Sequence, residues 1–193
     1  MSTIFWLNMI GAIIGCGSAI VYGVRIWLGK EKANLATWTI ILTLDGVGLY
    51  LAFATGNDEA YIQIGWCLAA LMIVIGAWKQ KGDWVWTENE TQTLILCIAS
   101  VVVWLMSEAV TFSLLGYIAA TAFSVWPQAK DYIRDQVMAR KSAWIWQVSI
   151  IAIVFPIAAK LLQGKYGAEH LLLYGWFLVL NVCMAALCMR KPE

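Results

Sequence analysis

A carboxylate inside a hydrophobic stretch is the residue of this chain with the clearest chemical potential. Asp45 lies near the middle of an apolar segment, where an ionised side chain costs roughly 2.5 to 3.5 kcal/mol. Trp38 and Ile41 precede it at spacings that place them on the same helix face. An aromatic ring beside a carboxylate suits a polar ring or a cation, so Asp45 and Trp38 are candidate ligand-binding residues. The alternative is a structural carboxylate that is hydrogen-bonded to a neighbouring helix.

A second group of polar and aromatic residues follows in the last two apolar segments. Gln147 and Asn181 are its candidate binding residues, and Trp144 is the candidate aromatic surface. Ser149 and Trp146 lie close by. A site that combines aromatic faces with a few polar groups is the usual means of recognising a sugar or a nucleoside.

Pro127 and Gln128 form a candidate gate late in the fifth apolar segment. Proline removes an intrahelical hydrogen bond and clashes with the carbonyl four residues before it, which bends a helix. Gln128 would then satisfy a freed backbone group or a partner across the helix interface. Gly23 is the corresponding flexible position near the end of the first segment. In the alternative reading, Pro127 merely ends the helix.

Other kinds of chemistry find little support in the residues. The five cysteines lie inside apolar segments, where we expect small packing residues and neither a disulfide framework nor a metal site. Paired carboxylates, a Ser-His or Cys-His constellation and a helical histidine cluster are all missing, so we expect no enzyme and no cofactor. A retinal protein would need a lysine in the last segment, and none lies between Ala168 and Met189.

Seven apolar segments must position these residues. Each has the length that a helix needs to cross about 30 Å of hydrocarbon, and none shows the alternation of a barrel strand. The sequence therefore predicts an all-α polytopic membrane protein with seven transmembrane helices. The predicted spans are Ile4 to Leu28, Leu35 to Thr55, Ala60 to Trp78, Thr91 to Ser107, Ala109 to Trp126, Ser142 to Leu162 and Ala168 to Met189.

Basic residues fix the predicted orientation. Of 13 Lys and Arg residues, all but Lys160 and Lys165 fall on one side of the seven segments. The positive-inside rule then places the N-terminus outside and the C-terminus in the cytoplasm. We expect one integral domain in a bacterial inner membrane. The net charge of +1 gives no footprint for nucleic acid.

A weak internal repeat relates the first three segments to the last three. Val21-Tyr22-Gly23 parallels Val125-Trp126-Pro127, Thr37-Trp38 parallels Ala143-Trp144, and Gly65-Trp66 parallels Gly175-Trp176. Because three helices are an odd number, a fourth is needed to give both copies one orientation. We therefore predict a first three-helix bundle over 1–82, a linker helix over 83–108 and a second bundle over 109–193.

The layout and the sequence Ser124-Val125-Trp126-Pro127-Gln128 resemble the PQ-loop superfamily, which includes the SWEET sugar transporters. The chain is also similar to small bacterial membrane proteins of this layout. The resemblance implies that the Pro-Gln pair is a hinge and that Trp38, Trp144 and Asn181 line a central site. The first half departs from the pattern, with Gly23-Val24 in place of Pro-Gln and Leu71 in place of a second asparagine.

These observations predict a transporter that moves a small polar solute, sugar- or nucleoside-like, by alternating access. Uniport and proton-coupled transport both remain open, as does a homo-oligomer. The alternative is a seven-helix receptor or sorting protein that binds its ligand without moving it.

Overall fold

The computed structural model describes residues 2–54, 60–80, 88–106, 110–165 and 168–190. In these ranges the chain is all-helical, with seven helices. The predicted domain boundaries at 82/83 and 108/109 lie outside the described residues. The helices are α1 (Thr3–Trp27), α2 (Leu35–Ala54), α3 (Ala60–Lys79), α4 (Glu88–Met106), α5 (Val110–Arg134), α6 (Gln136–Leu162) and α7 (Ala168–Met189).

Helices α5 and α6 are longer than their apolar segments. Helix α5 continues through Pro127 to Arg134, and α6 begins at Gln136, well before Ser142. Asp135 separates them by accepting a hydrogen bond from the Met138 N–H over 2.9 Å, the geometry of an N-cap. The apolar segment covers only the part of a helix that lipid can surround, whereas capping residues mark its ends. Because α5 continues past Pro127 to Arg134, the alternative in which Pro127 ends the helix is wrong.

Two glycines end the longest apolar helices in the same way. Gly29 and Gly164 follow the C-caps of α1 and α6 with positive φ angles of 72° and 70°. The next residue in each case donates its N–H to a carbonyl in the last helical turn, Lys30 to Arg25 and Lys165 to Lys160. Glycine adopts this left-handed conformation without a Cβ penalty.

The hydrophobic surface indicates a membrane protein. Three helices of the described ranges, Thr3–Trp27, Gln136–Leu162 and Leu171–Met189, are long and apolar enough to cross a bilayer. Shorter apolar helices cover Leu35–Val47, Ile64–Lys79 and Thr91–Val103. Large apolar side chains such as Ile13 and Leu162 are exposed, as expected of groups that face lipid rather than water.

Six helices surround the centre of the molecule, and α4 packs on its outside. Helix α1 packs against α3 and α6, α5 packs against α7 and α2, and the pairs α2–α3 and α6–α7 also touch. Helix α4 contacts mainly α5. Gly23 lies at a close approach of α1 and α3, because a Cβ there would stand 3.0 Å from the Ile73 backbone nitrogen. The predicted flexible glycine therefore lies where two helix backbones meet.

Candidate functional site

A cavity of about 340 Å³ lies between the six surrounding helices. Its described lining comes from α1, α2, α3, α5, α6 and α7, and none of it from α4. Trp38, Asp45 and Asn181, three of the five predicted binding residues, line it together. The structure thus brings together residues that lie far apart in the sequence, in a volume at the small end of the usual range for ligand pockets.

Asp45 lies on the cavity face of α2 with the neighbours that helical spacing predicts. Trp38 and Ile41 line the same cavity. Trp66 of α3 and Tyr117 of α5 line it as well. Asp45 therefore contributes a carboxylate to the wall of the space between the helices.

Aromatic side chains provide much of the remaining wall. Trp66 contributes from α3, Tyr117 from α5, Trp146 from α6 and Phe177 from α7. Trp38 has 9% of its surface exposed, and its indole Nε1 has no hydrogen-bond partner among the described residues. An indole N–H normally finds an acceptor when it is buried, so Trp38 has an unused donor.

Several polar groups of the wall are already engaged with their own helices. The Asn181 amide donates to the Phe177 carbonyl over 2.8 Å. The Ser124 hydroxyl donates to the Thr121 carbonyl over 2.8 Å, and the Thr121 hydroxyl donates to the Ile118 carbonyl over 2.9 Å. The cavity is therefore poorer in free hydrogen-bond donors than the types of its lining residues suggest.

Two predicted binding residues lie outside the cavity. Trp144 donates its Nε1–H to a carboxylate oxygen of Glu31 over 2.8 Å. Gln147 is exposed, with its amide nitrogen 3.1 Å from the sulfur of Met189. Trp146 and Ser149 line the cavity from α6 instead. Successive side chains on an α-helix point about 100° apart. Trp146 therefore lines the cavity and Trp144 does not, a difference that the sequence alone could not determine.

Helices α2 and α5 are joined where α2 begins and α5 approaches its end. Gln128 is fully buried. Its side-chain oxygen accepts a hydrogen bond from the backbone N–H of Asn34 over 2.7 Å, and its backbone N–H donates to the Thr37 hydroxyl over 3.1 Å. The Asn34 amide donates to Asp131 over 2.7 Å. We call Asn34, Thr37, Gln128 and Asp131 the α2–α5 latch. Gln128 therefore bonds a partner across the interface, one of the two roles predicted for it.

A second junction, the α1–α6 latch, consists of Arg25, Glu31 and Trp144. Glu31 is 3% exposed and accepts hydrogen bonds from the Arg25 guanidinium and from the Trp144 indole. The Arg25 guanidinium carbon also lies 5.8 Å from the centre of the Trp144 ring. Sequence reasoning missed Glu31, because a single charged residue in a short connection usually faces solvent.

Aromatic pairs separate the cavity from the two latches. Tyr22 and Tyr132 are fully buried. Tyr22 lies 6.0 Å from Trp38 between ring centres, and Tyr132 lies 6.4 Å from Trp146. Because both tryptophans line the cavity, these two pairs form its floor on the latch side.

Comparison with known proteins assigns no family to the chain. No family model, curated protein or solved structure matches it.

Proposed function

We propose that this protein is a seven-span transporter, related to the PQ-loop and SWEET-like proteins, that moves a small polar solute across a bacterial inner membrane by alternating access. The observation that carries the proposal is the central cavity. Six helices contribute to it, and it contains Trp38, Asp45 and Asn181. Cavities at the interface of two helix bundles are where transporters bind their solutes.

The helix contacts support an arrangement of two similar bundles. Helix α1 contacts α3 and α6, while α2 contacts α3. In the proposed repeat, α1, α2 and α3 correspond to α5, α6 and α7. The counterpart contacts are therefore α5 with α7, α5 with α2, and α6 with α7, and all three are present. Helix α4 lies outside this pattern, which suits a linker between two bundles of the same orientation.

The position of the latches supports closure towards the cytoplasm. Both lie at the end of the molecule that the basic residues assign to the cytoplasm. The cavity extends in the opposite direction, towards Asn8 and Gly11 in the first turns of α1. We infer that the structure represents a state closed to the cytoplasm. Opening to that side would separate α2 from α5 and α1 from α6 at the latches.

Solute flux into proteoliposomes tests the proposal. The purified chain should give saturable counterflow of at least one solute from a panel of labelled sugars, nucleosides and amines. Trp38→Ala should reduce this flux, whereas Trp6→Ala should not, because Trp6 is exposed and is not part of the cavity lining. Binding without flux for every member of the panel would favour the receptor. Equal effects of both variants would contradict the assignment of the cavity.

A further inference from the structure

The charge of the cavity wall limits which solutes it can accept. Among the described residues that line the cavity, Asp45 is the only one that is charged, and none is Lys, Arg or His. The formal charge contributed by this lining is therefore negative. An anionic solute would face a like charge at low local dielectric, where Coulomb repulsion is stronger than in water. The wall favours neutral or cationic solutes.

The aromatic side chains of the cavity wall narrow the class of solute further. Six aromatic side chains line the same cavity: Trp38, Trp66, Tyr117, Trp146, Tyr174 and Phe177. The face of an aromatic ring carries negative partial charge and attracts ammonium groups, an attraction that grows when water is excluded. Several rings and one carboxylate in the lining of the same cavity suit an organic cation with an apolar body.

A hydroxyl-rich neutral solute fits this wall less well. Asn181, Thr121 and Ser124 direct their side-chain donors to carbonyls of their own helices. A sugar that binds here would have to compete with these bonds for three of the wall's donors, and burying a polar group without a partner is unfavourable. A bare metal ion is also a poor fit, since no three His, Cys, Asp or Glu residues of the described ranges cluster together.

We infer that the transported solute is a small organic cation, an ammonium or quaternary ammonium group on a compact apolar body, held by Asp45 among the aromatic faces of the cavity. This inference rests on the proposed transport function. It replaces the sugar- or nucleoside-like class, predicted from sequence, with a class set by the charge and the rings of the wall.

A matched pair of ligands tests the inference on the purified full chain. The probes are choline and its neutral carbon isostere dimethylbutanol, and binding is measured from the quenching of tryptophan fluorescence. Because the two probes differ in charge and little in shape, we expect choline to bind about tenfold more tightly or better. Equal affinities for the two probes, or no binding of choline, would overturn the inference. This comparison needs no variant and so does not depend on the folding of a mutant.

Asp45→Asn then assigns the preference to the carboxylate. The variant should remove most of the difference between choline and dimethylbutanol. Asp135→Asn is the matched control, because Asp135 is exposed at the start of α6 and asparagine can also cap a helix. A preference that survives Asp45→Asn, or one that Asp135→Asn removes equally, would contradict the role given to Asp45.

Flux measurements separate the failure of this inference from the failure of the transport proposal. Counterflow of labelled glucose or uridine without any response to choline would sustain transport and overturn the cation class. Tight binding of choline that depends on Asp45, together with an absence of counterflow, would sustain the cation site and overturn transport.

Discussion

The cavity and the latch end of this protein contain similar residue types but use them differently. At the latches Glu31, Asn34 and Gln128 are almost fully buried and form hydrogen bonds that join different helices, although Glu31 Oε2 and Gln128 Nε2 have no partner among the described residues. In the cavity wall, Asn181 instead donates to its own helix, and the Trp38 indole has no partner among the described residues. The first arrangement joins helices together, and the second leaves a chamber in which a ligand can supply interactions. Variants at the latches should therefore change stability, and variants in the cavity should change binding.

The largest effect is expected at Glu31. Replacing it with alanine removes the acceptor of two hydrogen bonds, one from the Arg25 guanidinium and one from the Trp144 indole. Bonds to a charged group contribute about 1.5 to 3 kcal/mol each when buried, and we expect roughly 3 kcal/mol in total because Arg25 is partly exposed. Thermal unfolding in detergent should show a Tm lower by roughly 6 to 12 °C. Lys30→Ala, in the same connection but exposed, is the control. An equal change for both would show that the α1–α6 latch contributes no stability.

Gln128→Ala should have the next largest effect. Its removal leaves the buried Asn34 N–H without the side-chain oxygen that accepts its hydrogen bond, at a cost of about 1 to 3 kcal/mol. Gln147→Ala is a matched control, because Gln147 is exposed on α6. Tm should fall clearly for the first variant and hardly for the second. If the two variants unfold at the same temperature, the α2–α5 latch does not hold these helices together.

The smallest effects are expected for Trp144 and Trp146, two tryptophans of α6 of which one belongs to a latch and the other to the cavity wall. Trp144→Phe loses the indole bond to Glu31 and should cost about 1.5 kcal/mol of stability while ligand affinity stays unchanged. Trp146→Phe alters a ring that lines the cavity and should weaken ligand binding several-fold. Titration of choline against both variants checks this division. The reverse pattern, with binding lost only in Trp144→Phe, would return Trp144 to the site predicted from sequence.

The sequence predicted the helices well because hydrophobic length is a local property. Its seven segments correspond one by one to the seven helices of the described ranges. The main differences are at α5 and α6, where Asp135 and not the loss of hydrophobicity sets the boundary. The seven-span topology, its orientation and the repeat stay predictions, since length and composition alone qualify three helices as spans.

The candidate site was only partly predictable, for reasons that differ between residues. Asp45 was identified because a charge in an apolar segment is costly, and Trp38 because it lies two helical turns away on the same face. The choice between Trp144 and Trp146 depends on how α6 is rotated against α1, which no local pattern encodes. Glu31 gave no signal, because its burial arises from the packing of α1, α3 and α6 around a short connection.

Cross-linking the α2–α5 latch tests whether the protein works by alternating access through the cavity between its helices. In a background without the free cysteines, Asn34→Cys and Asp131→Cys would replace two residues whose side chains are hydrogen-bonded across the interface. A short thiol cross-linker should then hold the latch closed. We expect the cross-linked protein still to bind choline but to lose counterflow in proteoliposomes, and we expect cleavage of a reducible cross-linker to restore counterflow. Counterflow that continues with the latch held closed would contradict alternating access through this cavity.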